Sequence, residues 1–324
     1  MHSFEPEILQ LRRAHAVTPA AARQALEVES RRLFSLRREL RAILYLGIAA
    51  VITGVGLVVK ANLDRLGPLT LILLLGAAAL ACYLPAIRDH RAGRVRRLPA
   101  DLLLLLAALL VSANLGYAEH EFHLLGDSWS RHLLLLAVLH GATAYLLGSR
   151  LVLSVALTSF AAWMGAETAF SFFFPFSRAH LQGTGWRSLG CAAVFIGWRV
   201  LHTRLLPRHR DFSAVFEGFA VHLAGVGALL LTLPGYYDRP MPTAALAIGV
   251  TVLAVVVLLI GGIGWQRRQE SFVLAAIAYA VVGFLRLQFQ FLSDPLWLTT
   301  SALVTVIAAT ALLMKIHARL KDVP

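Results

Sequence analysis

Residues 242–265, PTAALAIGVTVLAVVVLLIGGIGW, form an apolar stretch that contains no charged side chain. At a rise of 1.5 Å per residue, a helix of this length is roughly 36 Å long. The hydrocarbon core of a bilayer is about 30 Å thick, so one such helix crosses it. The stretch therefore predicts a transmembrane α-helix.

The composition extends this interpretation from one segment to the whole chain. Of its 324 residues, 58% are hydrophobic and 15% are charged, and the mean hydropathy is +0.70. Soluble domains carry about 25% charged residues, so this chain has too little polar surface to cover a soluble globule. We expect an all-α, polytopic bundle of about ten spans, at residues 42–60, 68–87, 100–118, 131–148, 150–173, 185–206, 213–233, 242–265, 271–292 and 296–315.

Three regions follow from this pattern. Residues 1–40 are predicted to form a cytoplasmic, basic, amphipathic helical hairpin, residues 41–316 the transmembrane domain, and residues 317–324 a short cytoplasmic tail. In the hairpin, leucines recur at helical spacing, and Thr18 before Pro19 is typical of a helix start. The hairpin is interpreted either as a solvated basic anchor or as a docking helix for a partner. No secretory signal peptide is recognisable before the first predicted span.

The positions of the basic residues predict the topology. If the amino terminus is cytoplasmic, most of the 30 Lys and Arg residues fall in cytoplasmic segments, as the positive-inside rule requires. The exceptions are Lys60, Arg65, Arg131, Arg178, Arg187, Arg239 and Arg286. Topology thus explains the net charge of +12 without a nucleic-acid partner, and both termini are expected to be cytoplasmic. Only Ser149-Arg150 separates the fourth and fifth spans, so a tight hairpin is expected there.

Three stretches in the first half of the chain carry a family resemblance. They are residues 16–26 (AVTPAAARQAL), residues 58–64 (VVKANLD), and Tyr117 followed by residues 124–127 (LLGD) and 144–150 (AYLLGSR). In their order and spacing they resemble the bacterial predicted-membrane-protein family known as domain of unknown function 2157. The chain departs from that pattern at Leu63, where the family often has Trp, and at Ala142, near a common Pro. The resemblance implies a multi-pass protein of the bacterial inner (plasma) membrane and brings no established activity.

Ionisable side chains within the predicted spans are the best candidates for function, because an uncompensated charge in lipid is costly. His140 lies near the middle of the fourth span, Glu167 in the outer half of the fifth, and Glu217 and His222 in the seventh. A neutral glutamic acid beside a histidine could pass a proton, so these four residues are candidates for a substrate or proton pathway. In the structural alternative, Glu217 reaches water at the cytoplasmic end, and Glu167 and His140 hydrogen-bond to neighbouring helices.

The outer loop predicted at residues 119–127 contains residue types that bind metals, including His120 and His123 on one helix face. Because a metal site needs three or four converging ligands, we interpret this loop as a solvated acidic segment and predict neither a metal nor a cofactor. The two cysteines, Cys82 and Cys191, lie in separate apolar runs and are expected to be small core residues. No catalytic residue is identified.

These features favour an accessory or scaffold component of a membrane complex, with the lipid bilayer and a membrane protein or second copy as partners. The alternative is a carrier for a small solute, coupled to protons through Glu167 and a histidine, although no internal repeat is evident. An intramembrane transferase acting on a lipid-linked group at residues 119–127 is a third possibility. Enzymatic activity is the least favoured of the three.

Overall fold

The computed structural model describes residues 67–92, 98–124, 126, 130–169, 178–205, 210–234, 241–292 and 294–321, with isolated positions between Thr18 and Leu57. Within these ranges, the side chains of residues 98, 99, 166–169, 178–180 and 316–321 lie outside the description. The predicted hairpin at residues 1–40 and the predicted span at residues 42–60 fall outside the described residues, apart from the isolated positions.

The regular structure of the described residues is entirely helical, which confirms the predicted all-α fold class. The helices are α1 (Pro68–Arg91), α2 (Leu98–Phe122), α3 (Ser130–Leu147), α4 (Arg150–Ala169), α5 (Arg178–Leu205), α6 (Phe212–Leu231), α7 (Thr243–Gln266), α8 (Glu270–Phe291) and α9 (Pro295–Lys321). Each helix corresponds to one predicted span, with ends that differ by no more than about two helical turns.

Seven of these helices, all except α4 and α5, are long and apolar enough to cross a membrane. The apolar part of α4, Arg150–Gly165, is shorter, and α5 carries four arginines that lower its hydropathy. Both helices nevertheless pack inside the bundle, since α4 contacts α3 and α2 while α5 contacts α6 and α4. The presence of several membrane-crossing helices is confirmed, and the count of ten spans remains a prediction.

The helices from α1 to α8 pack in two groups within one compact unit that extends from Pro68 to Leu320. Helices α1–α4 form the first group, in which α1 pairs with α2 and α3 pairs with α4. Helices α5–α8 form the second group, in which α6 contacts all three of its companions. Most of the contact between the two groups is made by α4, which touches α5 and α6. Helix α3 therefore reaches the second group at only a few points.

The predicted tight hairpin between the fourth and fifth spans is confirmed. Helix α3 ends at Leu147, and Gly148 adopts φ +65°, a left-handed conformation that glycine reaches without a steric penalty. The amide of Ser149 then donates to the Ala144 carbonyl oxygen at 3.0 Å, which closes the helix end. The Ser149 hydroxyl accepts from the Val152 amide at 3.4 Å and caps α4. Two residues are thus enough to reverse the chain.

Short connections join neighbouring helices, so consecutive helices run antiparallel and alternate connections lie at the same end of the bundle. We call one end the arginine-rich end, because its helix termini and turns carry Arg88, Arg91, Arg150, Arg204, Arg210, Arg267 and Arg268. The other end, which holds the α2–α3 and α8–α9 connections, is called the far end. The α3–α4 turn lies at the arginine-rich end.

Glycines allow the helices of the second group to approach one another closely. A Cβ atom added to Gly185 of α5 would lie 2.9 Å from the carbonyl oxygen of Gly227, and one added to Gly227 of α6 would lie 2.9 Å from that of Gly185. Neither distance is compatible with a side chain, so the two backbones are in direct contact. Close approach through small residues is a common means of helix association in membranes.

We predict that Gly227→Ala lowers the free energy of unfolding by about 1–3 kcal/mol, because the new methyl group must push α5 and α6 apart. The matched control is Gly262→Ala on α7, where an added Cβ meets no atom within 4 Å. It should be neutral or raise stability by up to about 1 kcal/mol through helix propensity. Thermal unfolding in detergent measures both, and equal stabilities would contradict the close approach.

Candidate functional site

Tyr145, His202 and Trp198 form a hydrogen-bonded cluster that joins the two helix groups. The Tyr145 hydroxyl of α3 lies 2.5 Å from Nε2 of His202 on α5. The indole Nε1 of Trp198, one turn earlier on α5, donates to the same hydroxyl at 3.1 Å. His202 is fully buried. The Tyr145 hydroxyl thus serves as both donor and acceptor between helices that otherwise touch little.

The tautomer of His202 follows from its second nitrogen. Nδ1 lies 2.8 Å from the Trp198 carbonyl oxygen, which can only accept, so Nδ1 carries a proton. Neutral Nε2 then accepts the proton of the Tyr145 hydroxyl. The rings of Phe212 and Phe216 lie around the pair, with centroids 5.2 Å from Tyr145 and 5.0 Å from His202 respectively. Every polar side-chain atom of the cluster therefore has a hydrogen-bond partner, and the rings of Phe212 and Phe216 pack against the tyrosine–histidine pair.

An apolar cavity of about 260 Å³ opens beside this cluster, between α3 and α5. Helix α4 forms its floor, and Val138, Val194 and Trp198 at its rim are exposed on the surface of the bundle. Its lining consists of Leu134, Ala137, Val138, Gly141, Tyr145, Leu153, Ala156, Leu157, Phe160, Val194, Phe195, Trp198 and Phe216. The cavity lies where α3 and α5 lack close contact, and its only side-chain polar groups are those of Tyr145 and Trp198, which bond to each other.

A polar cavity of about 480 Å³ lies at the arginine-rich end, next to the apolar one. Arg150 and Asp211 both line it and form an ion pair, with Nη2 and Oδ2 2.7 Å apart. Its lining comprises His90, Tyr145, Leu146, Leu147, Gly148, Arg150, Asp211 and Phe212. Tyr145 lines both cavities, so the apolar lining and the polar lining adjoin at this residue. These two cavities and the cluster are taken together as the candidate site.

Glu217, one of the predicted site residues, is paired with two arginines instead of being left neutral. Its Oε2 atom accepts from Arg199 at 3.0 Å, and its Oε1 atom is bonded to Arg267 in the α7–α8 turn. Only 16% of its side chain is exposed. The carboxylate thus belongs to an ion-pair network that joins α5, α6 and the α7–α8 turn at the arginine-rich end.

His222 and Glu217 are brought together on α6, where both line a second polar cavity of about 310 Å³ with Gln269 and Ser271. Nδ1 of His222 lies 3.0 Å from the Tyr279 hydroxyl on α8. His222 therefore joins α6 to α8 through this hydrogen bond. Its possible part in a proton pathway stays a prediction.

His140 lies on α3 and points towards α2. It is 1% exposed, and its Nε2 atom lies 2.8 Å from the Ser112 hydroxyl on α2. Its Nδ1 atom has no hydrogen-bond partner. The fourth candidate, Glu167, belongs to α4, and its side chain lies outside the described residues. The linings of the three cavities do not include His140, so the structure does not bring the four predicted residues into one site.

The predicted outer loop requires a correction. Residues 119–122 form the last turn of α2, and Glu119 is 4% exposed, so this part is a helix end and is partly buried. Glu119 also interacts electrostatically with His132, which is buried in the first turn of α3. Asp127 lies outside the described residues. Among the residues that the structure describes, no group of three or more His, Cys, Asp and Glu side chains is placed to hold a metal ion.

Sequence reasoning did not identify Tyr145, His202 or Arg199 as site residues. Trp198 and His202 are four residues apart, so they share one face of α5, and this amphipathic spacing was the available signal. Tyr145 lies in the stretch AYLLGSR, which was noted only for its family resemblance. In the structure, Tyr145 of this stretch lines both cavities and Arg150 lines the polar one. The Ser149 hydroxyl donates a hydrogen bond to Asp101.

The comparisons with known proteins agree with this architecture. The model of a family described as predicted membrane protein (DUF2157) matches residues 9–153, which include α1, α2, α3 and the start of α4. The resemblance noted in the sequence is thereby confirmed over that range, and the chain is a multi-pass membrane protein. No curated protein and no solved structure matches the chain. His202 and Asp211 lie beyond the matched residues.

We predict that Tyr145→Phe lowers the free energy of unfolding by about 1–3 kcal/mol, because it leaves the buried Nε2 of His202 without a donor. The control is Thr310→Val on α9, whose exposed hydroxyl bonds only to the Val306 carbonyl oxygen of its own helix. That change should stay within about 0.5 kcal/mol. Unfolding in detergent measures both variants, and an unchanged Tyr145→Phe protein would show that the cluster does not hold the groups together.

Proposed function

We propose that this multi-pass membrane protein binds one amphipathic lipid between its two helix groups and acts as a lipid-dependent accessory component of a membrane complex. One observation carries the proposal: Tyr145 lines both an apolar and a polar cavity. An amphiphile needs both environments in this order, with an apolar chain on one side and a polar headgroup on the other. The arrangement of the two cavities supplies both.

The apolar cavity suits part of a hydrocarbon chain better than it suits a complete solute. Its volume of about 260 Å³ is below the roughly 300–1,000 Å³ typical of small-molecule pockets. Its rim residues Val138 and Val194 are exposed on the bundle surface, which in this protein faces lipid. A chain can therefore lie in the groove while the rest of the molecule stays in the bilayer or reaches the polar cavity.

The same geometry gives less support to a proton-linked carrier. A carrier for a polar solute needs a polar site near the membrane midplane. In the described part of the bundle, the cavity between α3 and α5 is apolar, and the buried His140 bonds to Ser112 away from it. The carrier would need Glu167 and a histidine, His140 or His222, to exchange a proton with a bound solute. The transferase alternative has less support because its outer site at residues 119–127 includes Glu119, which is buried.

The test fills the apolar cavity without disturbing the fold. Gly141 lines the apolar cavity, and a Cβ added there meets no atom within 4 Å. We predict that Gly141→Leu reduces the fraction of protein that retains one lipid after delipidation at least severalfold, because the new side chain occupies the position of the chain. Native mass spectrometry of the purified protein measures the retained lipid.

Gly262→Leu is the matched control, since Gly262 also has open space around its Cβ position and lines none of the three cavities. It should retain lipid as the parent does. Both variants should unfold at the temperature of the parent, which separates filling of the groove from loss of fold. Equal retention in Gly141→Leu and the parent, or no retained lipid in the parent, would refute the proposed function.

The proposal also includes an orientation, in which the arginine-rich end faces the cytoplasm of a bacterial cell. Seven arginines at that end support this orientation through the positive-inside rule. In a protein whose Cys82 and Cys191 are replaced by alanine, a cysteine at Leu124 should react with a membrane-impermeant maleimide in spheroplasts. A cysteine at Ala92 should react only after lysis. The reverse labelling pattern would contradict the orientation.

The accessory role predicts that the hairpin at residues 1–40, which lies outside the described residues, contributes to partner binding. Affinity purification of the full chain and of a chain without these residues tests this expectation. A stoichiometric partner that is lost with the hairpin supports the accessory role. A partner list that does not change would exclude the hairpin as the docking segment.

A further inference from the structure

We propose that the lipid bound at this site carries a zwitterionic headgroup, with one phosphate and one primary amine. This inference rests on the proposed function and names the class of ligand for the same site. It is carried by the opposed charges of Arg150 and Asp211 in the polar cavity. A phosphate oxygen would accept from the Arg150 guanidinium, and a primary ammonium group would donate to the Asp211 carboxylate.

Asp211 is placed in a way that a helix cap does not explain. It occupies the N-cap position of α6, where an aspartate normally accepts a hydrogen bond from the helix backbone. Here its side chain makes no such bond. The carboxylate is directed towards Arg150 of the α3–α4 turn, which belongs to the other helix group. The backbone of Asp211 is helical, with φ −62° and ψ −24°, so its carboxylate has no capping role and pairs with Arg150.

Both charged groups remain accessible to a ligand. The side chains of Arg150 and Asp211 are 58% and 75% exposed, respectively. An exposed ion pair contributes little stability by itself, so these two residues are not explained by the fold. Each retains hydrogen-bonding capacity beyond the single contact of 2.7 Å, because a guanidinium has five N–H donors and a carboxylate can accept about four hydrogen bonds.

The charge balance of the lining selects the headgroup. Besides His90, the lining contains one cation, Arg150, and one anion, Asp211. A purely anionic headgroup would place its phosphate against Arg150 and leave Asp211 facing an anion. A quaternary ammonium would satisfy the charge of Asp211 but has no N–H to donate. A phosphate with a primary amine complements both groups and donates to the carboxylate.

The experiment measures selectivity in nanodiscs that contain equal amounts of phosphatidylethanolamine, phosphatidylcholine and phosphatidylglycerol. The full-length protein is released from the nanodiscs, and native mass spectrometry counts the lipid that it retains. We expect phosphatidylethanolamine to exceed each of the others by about two- to fivefold, the size typical of an exposed ion pair. Retention without selectivity, or a preference for phosphatidylglycerol or phosphatidylcholine, would overturn the inference.

Charge variants assign the selectivity to the two residues. Asp211→Asn makes the lining positive and should shift the preference to phosphatidylglycerol, whereas Asp211→Glu should keep the original preference. Arg150→Gln should lower retention of all three phosphate-bearing lipids. The control is Asp89→Asn, which removes an acidic group at the same end that does not line the cavity. An Asp211→Asn protein with the parent's preference would also overturn the inference.

The two proposals fail in distinguishable ways. If the parent retains no lipid from any mixture, the proposed function is wrong and the headgroup inference falls with it. If Gly141→Leu abolishes retention but the parent does not discriminate among the three lipids, the groove binds an amphiphile and only the headgroup inference is wrong.

Discussion

The low polarity of lipid is the constraint on which the rest of this structure depends. A polar side chain inside the bundle has no water to bond with, so it must find a partner on another helix. Ser112 with His140, Tyr145 with His202, and Gln288 with Thr305 each meet this requirement between two different helices. Apolar packing in a membrane brings helices together with little directional preference. These hydrogen bonds therefore set which helix faces which, and at what rotation.

The division into two helix groups places the candidate site. Close glycine contacts make the second group a tightly packed body, and α4 links it to the first group. Because α3 lacks such contacts with α5, a gap remains between them, which the tyrosine–histidine hydrogen bond bridges near the arginine-rich end. Ligand sites commonly form where two bodies meet incompletely. The cavities are thus a consequence of how the groups are joined.

The span positions could be predicted from the sequence because they depend on local quantities, namely the length of an apolar run and the residues that end it. The turn at Gly148 is one example. The pairing of side chains could not be predicted, because it depends on helix rotation and on partners that are distant in the sequence. Arg267, which neutralises Glu217, is 50 residues away from it, and His202 is 57 residues from Tyr145. The burial of Glu119 was missed for the same reason, since its partner His132 lies on the next helix.

The order in which the helices are synthesised determines when each wall of the apolar cavity forms. Helices α3 and α4 precede α5 along the chain and are synthesised before it. During membrane insertion, Tyr145 therefore lacks its partner His202 until α5 has been made. Until then the α3 face around Gly141 is solvated by acyl chains. The arrival of α5 brings Trp198 and His202 against Tyr145 and forms the second wall around whatever molecule lies there. A lipid at this site would then gain its second wall when α5 packs against α3, while the exposed rim at Val138 and Val194 leaves it open to exchange with the bilayer.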